Sequence, residues 1–308
     1  MAETHQIAVI GAGLMGHGIA LTLARAGHRV AITDPSKDVL ASAKAGMSAS
    51  LSTLGADSGE ITEVLNRIEV RNAAADAVKD AAFVFEAAPE KLPLKQAIFS
   101  DIEAHAPAAA ILASNTSVIP ITEIMQGLNH RERALGTHWW NPPHMIPLVE
   151  VVKTAWTDGD VVNAMMDLLR QVKKEPVLVE KDVPGFIGNR LQHALWREAI
   201  SLVENGVCDA EAVDTVIKSS FGRRLAVLGP LENADLVGTD LTLDIHENVL
   251  FDLESRRGPS PFLKQLVADE RLGMKSGEGF RTWTQDEATA ARERVSRHLT
   301  LLDDILPD

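Results

Sequence analysis

His138 and Glu150 are the two residues of this sequence best suited to moving a proton. His138 lies in the apolar run Ala134–Trp139, and Glu150 is a lone carboxylate within Leu148-Val149-Glu150-Val151-Val152, twelve residues later. A carboxylate in an apolar strand needs a partner to offset its desolvation. An imidazole meets that need: the carboxylate fixes its tautomer and stabilises the imidazolium, leaving the second ring nitrogen as a general base. The alternative is a satisfied core histidine, with Glu150 paired to a lysine. A second constellation, near the N-terminus, favours the chemical reading.

Gly11-Ala12-Gly13-Leu14-Met15-Gly16 follows the apolar stretch Ile7–Ile10 and opens a helix-compatible run. A G-x-G-x-x-G carries weight when a strand precedes it, a helix follows and an acidic residue ends the next strand. Asp34 supplies that residue, eighteen positions after Gly16 at the end of Arg29–Thr33. Gly11 permits the tight turn, Gly13 lets backbone approach a pyrophosphate, and Gly16 allows close helix–strand packing. The helix N-terminus would then hold the phosphates, with Leu14 and Met15 among the contacts. Asp34 would accept hydrogen bonds from the adenine ribose and repel a 2′-phosphate, which favours NAD over NADP. Lys37 is the only nearby positive charge set against that preference. The alternative is a glycine-rich turn that binds no nucleotide.

These residues need a frame. Ile7–Ile10, Arg29–Thr33, 81–87, 109–114 and Ala134–Trp139 read as short apolar strands bounded by Gly, Asp or Pro. Continuous apolar strands alternating with helical segments predict a parallel sheet covered on both faces. In such a sheet ligands bind beyond the carboxyl ends of the strands, which sets His138 facing a dinucleotide held at Gly11–Gly16. Near residues 183–186 the strand signals stop. Gly185–Glu204 then reads as a helix stopped by Gly206, and Asp209 as the N-cap of a helix over 210–219. The fold class expected is α/β: a Rossmann-type doubly wound sheet over 1–183, followed by an all-α C-terminal domain over 184–308. The polar stretch 48–59 reads as a loop or helix junction.

Composition removes several alternatives. The chain of 308 residues has a formal charge of −13, which opposes binding to a nucleic-acid backbone. A single cysteine, Cys208, excludes an internal disulfide and a Cys-rich zinc site, and fits a reducing, cytoplasmic setting. Residues 7–24 carry no formal charge, yet glycines and His17 interrupt them and MAETHQ before them lacks the basic residues of a signal peptide; a membrane span is rejected. The sequence has no tyrosine, so dehydrogenase mechanisms that use a phenol are closed to it.

Ser114-Asn115-Thr116-Ser117, His138-Trp139-Trp140-Asn141-Pro142, Glu150, Pro184-Gly185-Phe186-Ile187-Gly188-Asn189-Arg190 and Lys275-Ser276-Gly277-Glu278-Gly279-Phe280 stand in one order over nearly the whole chain. In that order they resemble the 3-hydroxyacyl-CoA dehydrogenase superfamily. The resemblance implies that His138 and Glu150 are the catalytic pair and that Ser117 and Asn189 hydrogen-bond the reacting oxygen. It further implies that Asn141 supports the site, that Asn115, Glu90 and Lys95 contact the cofactor, and that the chain forms a homodimer through its helical domain. Local turn and cap bonding is the alternative for Asn115 and Ser117, and capping or interhelical bonding for Asn189.

The substrate is read from departures. In acyl-CoA members the segment after the second strand resembles a basic arm, whereas residues 35–66 here hold only Lys37 and Lys44 against Asp38, Asp57, Glu60 and Glu63. Such an arm would repel the phosphates of CoA. Trp139-Trp140 stands where two phenylalanines are usual, and Arg223-Arg224 adds a guanidinium pair able to bind a carboxylate bidentately. The sequence thus looks closer to the branch holding L-gulonate 3-dehydrogenase and a pyridine-carboxylate dehydrogenase, and a small, anionic, hydroxylated substrate is expected. Two alternatives stay open: an L-3-hydroxyacyl-CoA dehydrogenase, and a non-catalytic NAD-binding structural protein.

Overall fold

The structure is a computed structural model that describes residues 3–306. The chain divides into two compact units, the first extending to Arg190 and the second beginning at Leu191.

The first unit is one eight-stranded sheet with helices on both faces. Its strands are β1 (Gln6–Ile10), β2 (Arg29–Thr33), β3 (Ile68–Val70), β4 (Phe83–Glu86), β5 (Ile111–Ser114), β6 (Ala134–Trp139), β7 (Leu148–Val152) and β8 (Glu175–Val179). They lie in the order β3-β2-β1-β4-β5-β6-β7-β8. All pairs are parallel except β6 with β7. The order reverses between β1 and β4, so the crevice of a doubly wound sheet opens above those two strands. Around the sheet lie α1 (Leu14–Arg25), α2 (Lys37–Thr53), α3 (Ser58–Asn66), α4 (Ala74–Val78), α5 (Leu92–His105), α6 (Ile121–Met125) and α7 (Gly159–Gln171).

Two apolar layers hold the helices on. Ile7, Val9, Ile19, Leu23 and Met47 belong to the layer on the α1–α2 face, and Ala8, Val84, Phe99, Ile102 and Leu112 to the opposite one. Alternate residues of β1 enter opposite layers, as the two-residue period of a strand requires. Each of the larger side chains among them contributes about 1.5–3 kcal/mol on burial.

The stretch 48–59 is a helix junction, one of the two readings its composition allowed. α2 runs on to Thr53, because Met47 and Leu51 are buried and the Ser52 and Thr53 hydroxyls bond carbonyls four residues back. Only 54–57 joins it to α3. The helix expected from Gly185 begins three residues later, and a turn with Gly185 at φ +77° and Phe186 at φ +50° precedes it.

That helix, α8 (Gly188–Glu204), continues into the second unit. The second unit further contains α9 (Ala210–Ser219), α10 (Pro230–Val237), α11 (Thr239–Val249), α12 (Pro261–Ala268) and α13 (Gln285–Ile305), and no named strand among the described residues. Asp209 caps α9 by accepting from the Ala212 N–H, as its position predicts. Among the described residues no helix is long and apolar enough to cross a membrane.

Candidate active site

The dinucleotide turn fits the cofactor that its motif implies. Gly11 has φ +103°, and a Cβ on it would lie 2.7 Å from the Ala87 carbonyl oxygen. A Cβ on Gly16 would meet the Gly11 oxygen at 1.8 Å, so turn and helix come together only with hydrogen at both positions. Nothing stands within 4 Å of a Cβ built on Gly13, whose face is open to a phosphate. α1 has no capping side chain and no acidic residue in its first turn, which leaves its positive end to an anion. Leu14 is exposed and Met15 half-buried beside that end. Asp34 accepts from the Ala12 N–H and the Ser36 N–H, both at 2.9 Å. Its carboxylate is thereby held at the rim with acceptor capacity left for ribose hydroxyls. Asp34→Ala should weaken NADH binding by roughly tenfold or more, the worth of a hydrogen bond to a charged group, and narrow the gap to NADPH. Titration of both nucleotides by fluorescence quenching checks this; unchanged affinities would remove Asp34 from the site.

At the ends of β4 and β5 a buried network fixes the neighbouring loops. Lys95 and Glu86 are both fully buried, with Lys95 Nζ 2.7 and 3.0 Å from the two Glu86 oxygens and 3.3 Å from the Ala88 carbonyl. Glu86 also accepts from Ser114 Oγ at 2.6 Å and the Ala88 N–H at 2.7 Å. The Lys95 ammonium has no exposed surface and is held by Glu86, which fixes the loop that Gly11 packs against. Glu90 ties that loop to the next, accepting from Thr116 Oγ1 and from the Ser117 and Val118 N–H groups at 2.5, 2.9 and 3.1 Å. Burial would raise its carboxyl, but these bonds and Lys95 outweigh burial and hold it below the usual range. Ser117 is exposed, and its Oγ has no partner among the described residues. Asn115 turns its Oδ1 to the Trp139 N–H at 2.9 Å, leaving its amide donors free.

His138 and Glu150 are directly opposite each other across the antiparallel β6–β7 pair. That register is the physical reason for their twelve-residue spacing. His138 Nδ1 lies 2.7 Å from Glu150 Oε2, with both residues buried. A carboxylate can only accept, so Nδ1 carries the proton and Nε2 keeps its lone pair in the neutral ring. The other Glu150 oxygen accepts from the Ile187 N–H at 2.8 Å and the Gly188 N–H at 3.0 Å. Burial pushes the Glu150 carboxyl up, yet the bonds from His138, Gly188 and Ile187 prevail and keep it below the ordinary carboxylate range. The turn at Gly185-Phe186 aims those two N–H groups at the carboxylate. Phe186, a non-glycine residue at positive φ, is also packed on the imidazole with ring centroids 5.6 Å apart. Asn189, in the first turn of α8, donates from Nδ2 to the Ser117 carbonyl at 2.9 Å. The structure thus places Ser117 and Asn189 together, and His138 with Glu150, all within the first unit.

Sequence reasoning missed Glu86 and Gly18. Glu86 carried the same signal as Glu150, a lone carboxylate in an apolar strand. A Cβ on Gly18 would lie 2.5 Å from Pro143 Cγ, so the loop after β6 seats directly on the dinucleotide helix. In that loop burial, with His17 and Lys174 nearby, pushes His144 down to about 4, leaving the seat uncharged. Asn141 is exposed on the same loop. Arg223 and Arg224 are exposed in the second unit, and neither side chain has a partner among the described residues.

The sequence matches the family model for the 3-hydroxyacyl-CoA dehydrogenase NAD binding domain over residues 6–183 and that for the C-terminal domain over residues 185–283. The chain belongs to the 3-hydroxyacyl-CoA dehydrogenase family. It is an NAD-dependent oxidoreductase acting on CH–OH groups. It is 35% identical to 5-formyl-3-hydroxy-2-methylpyridine 4-carboxylate 5-dehydrogenase of Mesorhizobium japonicum, over 97% of each chain. It is 37% identical to the mitochondrial hydroxyacyl-coenzyme A dehydrogenase of Rattus norvegicus, over 89% of this chain and 90% of the relative. A crystal structure of a 5-formyl-3-hydroxy-2-methylpyridine 4-carboxylic acid 5-dehydrogenase, described as an NAD+ dependent dismutase, superposes with a TM-score of 0.91 at 35% identity, covering 98% of both chains.

Proposed function

We propose that the protein oxidises a primary or secondary hydroxyl of a small, anionic hydroxy acid, with His138 as base and Glu150 as its orienting partner. The observation that carries this reading is the cross-strand His138–Glu150 bond, which commits Nδ1 and leaves Nε2 as the lone-pair nitrogen. His138 Nε2 takes the hydroxyl proton, and Glu150 stabilises the imidazolium that results. NAD supplies the acceptor for the hydride that leaves the carbinol carbon. Ser117 Oγ and the Asn189 amide donate to the reacting oxygen, where developing charge makes such bonds most effective. Gly11, Gly13, Leu14, Met15, Gly16, Asp34, Asn115 and Glu90 form the cofactor side, with Lys95 acting through Glu86 and Glu90. Asn141 and Arg223 or Arg224 serve the substrate side.

Two facts support a free acid over a CoA ester. Residues 35–66 carry Lys37 and Lys44 against Asp38, Asp57, Glu60 and Glu63, a poor seat for the phosphates of CoA. The Mesorhizobium relative, whose name gives a pyridine carboxylate as its substrate, aligns over 97% of both chains. The acyl-CoA reading keeps a place because the rat relative is no less identical. Arg223→Ala should raise KM for a hydroxy acid about tenfold or more, as loss of a charge-assisted pair does, and leave its neutral ester nearly unaffected. Equal effects on acid and ester would remove the carboxylate clamp. We further propose residues 1–183 as the NAD-binding domain, 184–308 as the helical substrate and dimerisation domain, and a cytoplasmic homodimer. In the second unit Val227, Leu231, Leu236 and Phe251 are 70, 80, 73 and 82% exposed, apolar surface that a second copy would cover.

A further inference from the structure

Trp140 and Gly188 meet more closely than any other residue at position 188 allows. A Cβ on Gly188 would lie 2.3 Å from Trp140 Cζ2 and 3.2 Å from both Cε2 and Cη2. The benzo edge of the indole therefore occupies the space of a side chain at 188. The same indole packs on the imidazole of His138, with ring centroids 5.3 Å apart and planes tilted by 55°. His138 and Trp139 point to opposite faces of β6, Trp139 packing on Phe85, and Trp140, the first residue past the strand, returns to the His138 side. Phe186 covers the imidazole as well, at 5.6 Å and 53°.

The contacts close into a ring. His138 bonds one oxygen of Glu150, the other oxygen takes the Gly188 N–H, Gly188 touches Trp140, and Trp140 touches His138. The carboxylate fixes the separation between imidazole and helix start, and the indole fills it. We infer that Trp140 and Gly188 are a matched pair of positioning residues, which set the plane of the His138 imidazole against Glu150 and the first turn of α8. A methyl group at 188 must push the indole into the imidazole or lift the helix start off Glu150. Either movement disturbs the one bond that orients the base, and lifting the helix start carries Asn189 with it. Trp140 Nε1 is buried with no hydrogen-bond partner among the described residues. The indole is held here by fit, not by a polar anchor, so its place depends on the absence of a side chain at 188.

This inference rests on His138 acting as the base, and the test separates the two. The variants are Gly188→Ala, Trp140→Phe, their combination, and His138→Gln, each assayed for kcat, KM and NADH affinity. Gly188→Ala should lower kcat by roughly ten- to a hundredfold, the scale of a misplacement near 1 Å, with NADH affinity within about twofold because the glycine turn is untouched. A phenyl ring lacks the atoms that collide, so adding Trp140→Phe should restore kcat to the level of Trp140→Phe alone. A Gly188→Ala protein that does not fold, beside a double variant that folds and turns over, also supports the pair. Gly188→Ala with kcat within twofold of the parent would overturn it, as would a double variant no better than Gly188→Ala or one that also fails to fold. Retained turnover in His138→Gln would instead remove the mechanism on which the pair acts.

Discussion

His138→Gln lowers kcat by roughly 10²–10⁴, the range removed with a positioned general base, while NADH affinity stays within about twofold. Glutamine can still hydrogen-bond Glu150, so β6 and β7 keep their pairing, but it offers no nitrogen lone pair to a hydroxyl proton. The cofactor side is built on other elements: the glycine turn, Asp34 and the loops fixed by Glu86 and Glu90. Steady-state kinetics with NADH fluorescence titration separates the two effects. A variant that turns over like the parent would remove His138 from the chemistry. A variant that loses NADH affinity along with turnover would show that the imidazole supports the cofactor instead.

Breaking the buried Glu86–Lys95 pair has the largest expected effect on stability. Lys95→Met leaves Glu86 inside the protein with only Ser114 Oγ and the Ala88 N–H as donors. An uncompensated buried charge of this kind costs about 3–5 kcal/mol. Removing both charges with Glu86→Leu and Lys95→Met should recover much of that loss, because the penalty belongs to the orphaned carboxylate. Urea unfolding of the two variants and the parent measures the difference. A loss below about 1 kcal/mol for Lys95→Met, the size of a surface ion pair, would show that Glu86 is not ionised as a partner of Lys95.

Where a structural feature has a local cause, the sequence displays it. β1, β2 and β6 are apolar runs with turn residues at their ends, and they stand where those runs predict. β4 and β5 are shorter than expected, since Ala81, Ala82, Ala109 and Ala110 lie outside the ladder although they are apolar. β3 has three residues, two of them exposed, and β8 is an edge strand with alternating exposure. β3 forms no apolar run, and pairing with a neighbour is what makes it a strand, whereas β8 does hold the apolar run Val177-Leu178-Val179, which sequence reasoning passed over. In 48–59 the serine-rich composition marked a helix junction but not how far α2 runs, which the burial of Met47 and Leu51 decides.

The candidate site divides along the same line. Gly11, Gly13, Gly16 and Asp34 are bound by short-range geometry and could be read directly. His138 and Glu150 could be matched because an antiparallel pair joins them through a short connection. The donation of Ile187 and Gly188 to Glu150, the hold of Asn189 on Ser117, and the fit of Trp140 against Gly188 link segments 37 to 72 residues apart. No local pattern encodes those distances. Lys95 was singled out by resemblance, and its buried partner Glu86, nine residues away, was not.

The most direct test of the central claim is NADH formation by the purified protein from NAD with a paired set of substrates. One half holds 3-hydroxyacyl-CoA esters of two chain lengths; the other holds free hydroxy acids, among them gulonate, carnitine and a hydroxymethylpyridine carboxylate. Turnover of one or more free acids, with none of the CoA esters, is the expected result. Turnover confined to the CoA esters would contradict it, showing that the acidic α2–α3 arm does not exclude CoA and that Arg223 and Arg224 do not receive the substrate's carboxylate.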